Sequence, residues 1–339
     1  MDPVSQGVLG GVAAQQFRHK TEKAAALLVG ALAGMAPDLD VFITSDKDPL
    51  LFLEFHRHFT HALIFIPIGA LVCAIAFHFV FKAWFSRAQI GFKQVYLWCF
   101  AGYSTHALLD ACTTYGTQLL WPFSSIRVAW NNVSVVDPLF TLPLLGLLIT
   151  AVLKQSNWLA RISLAYVFLY LGMGYVQQQR AVEVANQLAF QRGHDPVNLG
   201  LKPSFANIIV WKSIYEHEGY YFVDAIRVGL GVKYYEGVQV EKLDLNSQLN
   251  WLNSDSQQAK DIERFRWFAN DHLGIDPAND LRIIDVRYSL IPNEVVGMWG
   301  IVLDPERSQT DHVVWNSNRP KGMKALSKTK QLWSMILGQ

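Results

Sequence analysis

Apolar residues in this chain fall into long blocks, not into the short alternations of a soluble fold. The clearest block is 62–81, "ALIFIPIGALVCAIAFHFVF", twenty residues without a Lys, Arg, Asp or Glu. Twenty helical residues cover about 30 Å, the thickness of a bilayer's hydrocarbon, so the block predicts a transmembrane helix. Blocks 138–153 and 158–176 predict two more. A fourth, 94–112, is apolar except for His106 and Asp110. Two shorter runs, 4–17 and 24–37, fall short of a full span and predict a helical hairpin buried against the others. Beyond Val176 the pattern becomes that of a soluble domain. There "NIIVWKSIY" and "YYFVDAIRV" read as two strands within 206–230, with "EHEG" as their turn. Residues 255–273 read as an amphipathic helix with Ile262, Phe265, Phe268 and Ala269 on one face, and further strands are expected at 281–289 and 295–303. The expected fold is a polytopic α-helical membrane domain over 1–176, with about four full and two short helices. A small soluble α+β domain follows over 177–339.

Composition agrees with that division. Charged residues make up 17% of the 339, against about 25% in ordinary soluble proteins. The net charge of +1 offers no basic field for nucleic acid. Cys73, Cys99 and Cys112 are odd in number, lie in apolar surroundings and match no zinc spacing, which makes them packing residues. The opening "MDPVSQGVLGGVAAQQF" lacks the positive start of a cleaved signal peptide.

Basic residues then set the direction of the crossings. Arg18, Lys20 and Lys23 separate the first two runs, Lys82, Arg87 and Lys93 the next pair, and Lys154 and Arg161 flank the last connection. The positive-inside rule makes these three connections cytoplasmic. Alternation then puts Gln6, "PDLD" at 37–40, "HRHFTH" at 56–61, "HALLD" at 106–110 and Asp137 on the outer side, together with the C-terminal domain. The polar residues converge on one membrane face, although only Lys and Arg positions entered the argument.

Each polar group has an ordinary reading beside a chemical one. His106 and Asp110, one helical turn apart, either grip a divalent ion or form a hydrogen-bonded pair within a bundle. Asp38 and Asp40 suit a polar helix end as well as metal ligation. In "HRHFTH", His58 and His61 share a face if the stretch is helical, His56 and His58 if it is extended, and interfacial snorkelling suits Arg57 better than three histidines. Asp137 before Pro138 fits an N-cap or a supporting role at a site. Arg127, the only charge in the aromatic-rich loop 113–132, fits a membrane-surface anchor or a phosphate contact. His78, mid-helix, reads as structural. Taken together, four segments carrying His and Asp to one face favour a site, because ionisable groups near membrane depth are costly. Mixed His and carboxylate ligation suits zinc, manganese or iron, in one or two ions.

The motifs "MDPVSQGVLGG", "GALAGMAPDLD", "HRHFTHAL", "HALLDACTTYGTQLLWPFS" and "SVVDPLFTLPLL" cover the first 150 residues in order. They resemble the YdjM-like family of inner-membrane proteins regarded as metal-dependent hydrolases. The resemblance implies a bound divalent metal and a distant relation to the helical zinc-dependent phospholipase C and nuclease group, whose His-x-x-x-Asp pair would map onto His106 and Asp110. It carries His56 and His61 over as ligands, but not His58, which stands where the family has Gly. Gln6 replaces a common His, which would leave one metal position weaker or filled by water. The expected metal ligands are therefore Asp38, Asp40, His56, His61, His106 and Asp110. Asp38 and Asp40 are also the candidate proton acceptors, and Gln6, Arg57, His58, Arg127 and Asp137 are the supporting or substrate-contacting residues. The expected function is hydrolysis of a phosphoester or ester of an amphiphilic substrate at the outer face, with membrane lipids as partners. A non-enzymatic metal- or lipid-binding sensor or scaffold is the alternative. A transporter is disfavoured because the ligands cluster at one face.

Overall fold

The computed structural model describes residues 1–18 and 22–339; Lys20, one of the orienting cations, lies outside them. The chain divides into two compact units. The first comprises 1–42, 55–176 and 205–207, the second 43–54, 177–204 and 208–339.

The first unit is helical. Its elements are α1 (Pro3–Gln15) and α2 (Lys23–Met35), which continues as a 3-10 segment, Ala36–Phe42. After α3 (Leu51–Phe55), which apart from Phe55 belongs to the second unit, and two 3-10 turns come α4 (Ile66–Val80), α5 (Lys82–Arg87), α6 (Phe92–Ala111), α7 (Pro138–Leu153) and α8 (Asn157–Gln191), whose residues beyond Val176 also belong to the second unit. Among the described residues three stretches are long and apolar enough to cross a membrane: Lys23–Phe42, Leu63–Val80 and Asn157–Gln191. The second run, expected to be short, thus reaches 20 residues, because the chain tightens into a 3-10 helix at Pro37 instead of breaking. Proline is tolerated there because the first turn needs no N–H from it. Helix α7 stays at 16 residues.

Helix α4 is apolar on every side, but its sides differ in size. Gly69, Ala70, Cys73 and Ala74 face inward, while Ile68, Val72, Phe79 and Val80 are more than half exposed. Small residues inside and large apolar ones outside is the arrangement of a helix packed in lipid. Close packing is extreme where α1, α2 and α6 meet. A Cβ on Gly102 would lie 2.3 Å from the Gly30 carbonyl oxygen, and one on Gly10 would lie 2.4 Å from the same atom. The three backbones touch there, which fixes the height of α6 against α2.

The second unit contains two antiparallel four-stranded meanders. In the first, β1 (Val197–Pro203), β2 (Val210–His217), β3 (Tyr220–Val228) and β4 (Val232–Glu241) pair in order. His217 faces Tyr220 across a Glu218–Gly219 turn whose two residues have φ of +49° and +79°, the left-handed pair that a two-residue hairpin requires. After α9 (Leu245–Gln248) and α10 (Gln257–Phe268), β5 (Leu273–Asp276), β6 (Asn279–Asp285), β7 (Trp299–Val302) and β8 (Val314–Ser317) form the second meander, and α11 (Gly322–Leu337) closes the chain. Ile214, Tyr221, Val223 and Val240 of the first sheet share a core with Ile284 and Val286 from the second.

Segment 43–54 is built into this unit although it lies between Asp40 and His56 in sequence. Arg264 of α10 holds Asp48 at 2.8 Å and Glu54 at 2.5 Å. Phe52 meets Trp315 edge-on at 5.1 Å, and Leu50 and Leu53 are buried.

Lys212 is fully buried on β2, its Nζ donating to Ser289 Oγ and the Glu294 carbonyl, each at 2.8 Å. Burial lowers its pKa to about 7, against the pull of Asp285 and Glu294. The unfolded chain keeps that proton up to about pH 10, so between these values it binds more protons than the folded state. Stability of this unit is therefore expected to rise with pH between about 7 and 10, at up to about 1 kcal/mol per pH unit, and to stay flat below 7. Denaturant titrations of the wild type and Lys212→Met at several pH values check this; the variant should lose that part of the slope.

Candidate metal centre

Four segments of the helical unit end at one place. The last turn of α6 presents His106 and Asp110 on one face, both fully buried. The 3-10 segment after α2 presents Asp38 and Asp40. Three residues per turn make neighbours two apart diverge, and the two carboxylates go separate ways. The turn after α3 brings His56 and Arg57, and the 3-10 turn Phe59–His61 brings His61.

The innermost group consists of Asp38 Oδ1, His61 Nε2, His106 Nε2 and Asp110 Oδ2. The two imidazole nitrogens are 2.9 Å apart. His61 Nε2 is 3.5 Å from Asp38 and 3.3 Å from Asp110, and His106 Nε2 is 3.3 Å and 3.6 Å from the same two oxygens. Four atoms bound at about 2.0–2.1 Å around a tetrahedral ion stand about 3.3–3.4 Å from one another. Five of the six edges of the group, at 2.9–3.6 Å, bracket that length, and the sixth, from Asp38 to Asp110, is no longer than 4.8 Å.

Hydrogen bonds on the far side of each ligand set its orientation. His106 Nδ1 donates to the Gly34 carbonyl at 2.6 Å, which leaves Nε2 as a bare lone pair facing the group. His61 Nδ1 lies 3.2 Å from Asp40 Oδ2, the carboxylate–histidine arrangement that fixes a ligating tautomer. Asp110 Oδ1 accepts from Gln6 Nε2 at 2.8 Å and from the Met1 amino nitrogen. Asp110 Oδ2, also buried, forms an ion pair with Arg57 Nε at 2.8 Å. Burial opposes an imidazolium at His61, yet Asp110, Asp38 and Asp40 outweigh it and push the His61 pKa up to about 10. The centre attracts positive charge.

Asp40 is held differently. His56 Nδ1 lies 2.8 Å from its Oδ1, while its Oδ2 accepts from Arg57 N–H at 2.9 Å and Thr60 Oγ1 at 2.8 Å. Asp38, Asp40 and His56 form a second, more open group of ligand size, but the Asp40 oxygens are already engaged in positioning both histidine segments. Gln6, in the position of the family's histidine, donates to Asp110 and the His106 carbonyl instead of ligating.

Arg57 does not reach headgroups or phosphate at the surface. It is 4% exposed, with its guanidinium on Asp110 and Thr113 Oγ1 and stacked over Tyr115 at 4.7 Å. Its φ of +66° is left-handed, a conformation costing about 1–2 kcal/mol. Asp40 on its N–H and Gln118 on its carbonyl hold it there. His58 packs among Phe55, Phe59 and Trp121, away from the ligand atoms. Arg127 donates to the Tyr115 and Gly116 carbonyls and braces its own loop. Asp137 caps α7 and accepts from Tyr170 at 2.8 Å, apart from the centre. His78 stacks on Phe85.

Thr60, Thr113 and Tyr115 belong to the surroundings of the centre and were not singled out from sequence. Their only signal was adjacency to "TH" and "HALLD". His56 meets Tyr115 edge-on at 5.2 Å, so this ring covers one wall between the two histidine segments.

Comparison with known proteins adds three findings. A family model described as YdjM inner membrane protein matches residues 1–181. Over 113 residues the chain is 31% identical to the inner membrane protein YbcI of Escherichia coli (strain K12), which covers 32% of this chain and 61% of that protein. Over 114 residues it is 27% identical to the uncharacterized protein YfhP of Bacillus subtilis (strain 168), 33% of each. The matched parts are thus less than two thirds of either relative's own length. No solved structure matches the chain.

Proposed function

The chain belongs to the YdjM inner membrane protein family, and from that premise we propose a membrane-bound, metal-dependent hydrolase acting on a phosphoester or ester of an amphiphilic substrate. The observation that carries this reading is the meeting of two oriented Nε2 atoms and two carboxylate oxygens at the edge lengths of a tetrahedral ion. Asp38, His61, His106 and Asp110 would hold one ion, zinc by donor set, with manganese or iron as substitutes. Asp38, Asp40 and His56 offer a second position. A divalent ion there supplies Lewis-acid activation of water and of a phosphoryl or acyl oxygen.

The chain's own residues do the rest. Asp40 and the Gly34 carbonyl keep His61 and His106 in their ligating tautomers. Arg57 and Gln6 hold the Asp110 carboxylate in place. Asp38, with 22% of its side chain exposed, is the innermost carboxylate open to substrate and the proton acceptor in this reading. Leu39, Phe42, Ile64 and Phe123 are each more than half exposed around these segments. They would take the apolar part of an amphiphile at the membrane surface. By the positive-inside rule the proposed protein is multi-pass, with the centre and the C-terminal domain on the periplasmic side.

A second reading has its own support. Four protein ligands fill a tetrahedral ion and leave no open position, as in structural zinc sites. This favours a metal-binding sensor or scaffold. Purified protein assayed in detergent on a phosphodiester, a carboxylic ester and phospholipid separates the two. Expected for the enzyme is hydrolysis abolished by chelation, restored by zinc or manganese, lost in Asp110→Asn and lowered roughly 10–100-fold in Asp40→Asn. Bound metal without turnover of any substrate would leave the sensor; a protein that binds no metal would sink both.

A further inference from the structure

Helix α11 has two apolar faces. Leu332, Met335 and Ile336 pack with Val210, Ala225 and Ile291 against the first meander. On the other side Met323, Leu326, Trp333 and Leu337 are 88, 57, 61 and 54% exposed. Leu326, Lys330, Trp333 and Leu337 follow the i, i+4, i+7, i+11 spacing of one helical stripe, and Met323 extends it by a turn. A helix covering a soluble domain would carry polar residues along that stripe. The cations have the same bias. From His312 to Gln339 the chain has Arg319, Lys321, Lys324, Lys328 and Lys330 but no Asp or Glu. Lys328 is paired with Glu294, whereas Lys324 and Lys330 have no carboxylate partner among the described residues.

We infer that this outer stripe of α11 docks on the surface of an anionic lipid bilayer. The chemistry fits on both counts. Trp, Leu and Met immerse at the boundary of headgroups and acyl chains, and lysines beside them meet lipid phosphates. The chain itself is anchored to a bilayer. The membrane helices of the first unit are covalently continuous with the second through α8, so docking is an intramolecular event and needs little intrinsic affinity. A protein partner would have to offer both an apolar groove and acidic groups, and nothing in the chain favours it over the bilayer already present. The inference is independent of the hydrolase reading.

Full-length protein carrying a spin label at Leu326→Cys, reconstituted into nanodiscs with or without phosphatidylglycerol, tests it. Collisions with oxygen, which concentrates in lipid, are compared with those of a water-soluble nickel chelate. The native cysteines are buried, and a label at exposed Glu306→Cys gives the aqueous reference. With phosphatidylglycerol, the 326 label should gain oxygen contact and lose nickel contact while the 306 label stays aqueous. Lys324→Gln and Lys330→Gln should each lower the docking equilibrium about fivefold at low salt. Three outcomes would overturn the inference: equal nickel access with and without the anionic lipid, shielding from both reagents (a protein surface), or equal immersion in neutral discs.

Discussion

Purified His106→Ala and Asp110→Ala proteins are each expected to retain less than about a tenth of the metal held by the wild type, measured by elemental analysis after gel filtration. A structural zinc site binds with about 10–16 kcal/mol. Shared over four ligands, that is roughly 3 kcal/mol each, or more than 100-fold in affinity per ligand removed. Both positions are fully buried, so nothing else can move in. His106→Ala also frees the Gly34 carbonyl that anchors the tautomer, and Asp110→Ala strands Arg57 without its carboxylate. His58→Ala is the control, since its ring lies among Phe55, Phe59 and Trp121 and its metal content should match the wild type. Unchanged metal in the two ligand variants, with normal elution, would show that the ion sits elsewhere.

The second large effect is expected far from any polar group. Gly102→Val should abolish accumulation of folded protein, and Gly102→Ala should destabilise it by about 1–3 kcal/mol. The added Cβ would stand 2.3 Å from the Gly30 carbonyl oxygen and 3.0 Å from two further Gly30 backbone atoms. Backbone cannot rotate aside, so α2 and α6 must separate. That motion draws Gly34 away from His106, and the surviving Gly102→Ala protein should therefore hold metal more weakly. Gly172→Ala on α8, where the new Cβ meets nothing within 4 Å, should cause no loss. Thermal unfolding in detergent, followed with metal content, checks both; a Gly102→Val protein as stable as wild type would refute the close packing.

What could be read from the sequence was whatever depends on local pattern. A charge-free run predicts an apolar helix, and α4 lies within 62–81, although Leu63–Phe65 near its start form a 3-10 turn. The i, i+4 spacing of His106 and Asp110 needs only a helix to become geometry. The β2–β3 hairpin follows from its Glu-Gly turn. Long-range placement was not legible. Arg57 looks like a surface cation beside an apolar run. Only the tertiary fold turns it inward, because Asp110 supplies the carboxylate and Tyr115 the ring. Asp38 and Asp40 look equivalent, yet the 3-10 geometry sends one to the inner ligand group and gives the other the task of orienting histidines. Strand β1, with Gly200, Lys202 and Pro203, and helix α11, with two apolar faces, break the simple periodicities and were not expected.

The capture of segment 43–54 by the second unit has a consequence for dissection. A cut after Val176 follows the change in composition but does not separate the two units. A fragment ending there keeps Asp48, Leu50, Phe52 and Glu54 while losing Arg264 and Trp315, their partners. The loosened loop is the one whose two ends carry Asp40 and His56. Neither half is thus a self-contained module. In a shortened relative, or a chimera that exchanges the C-terminal half, this loop must be redesigned along with the half that was exchanged.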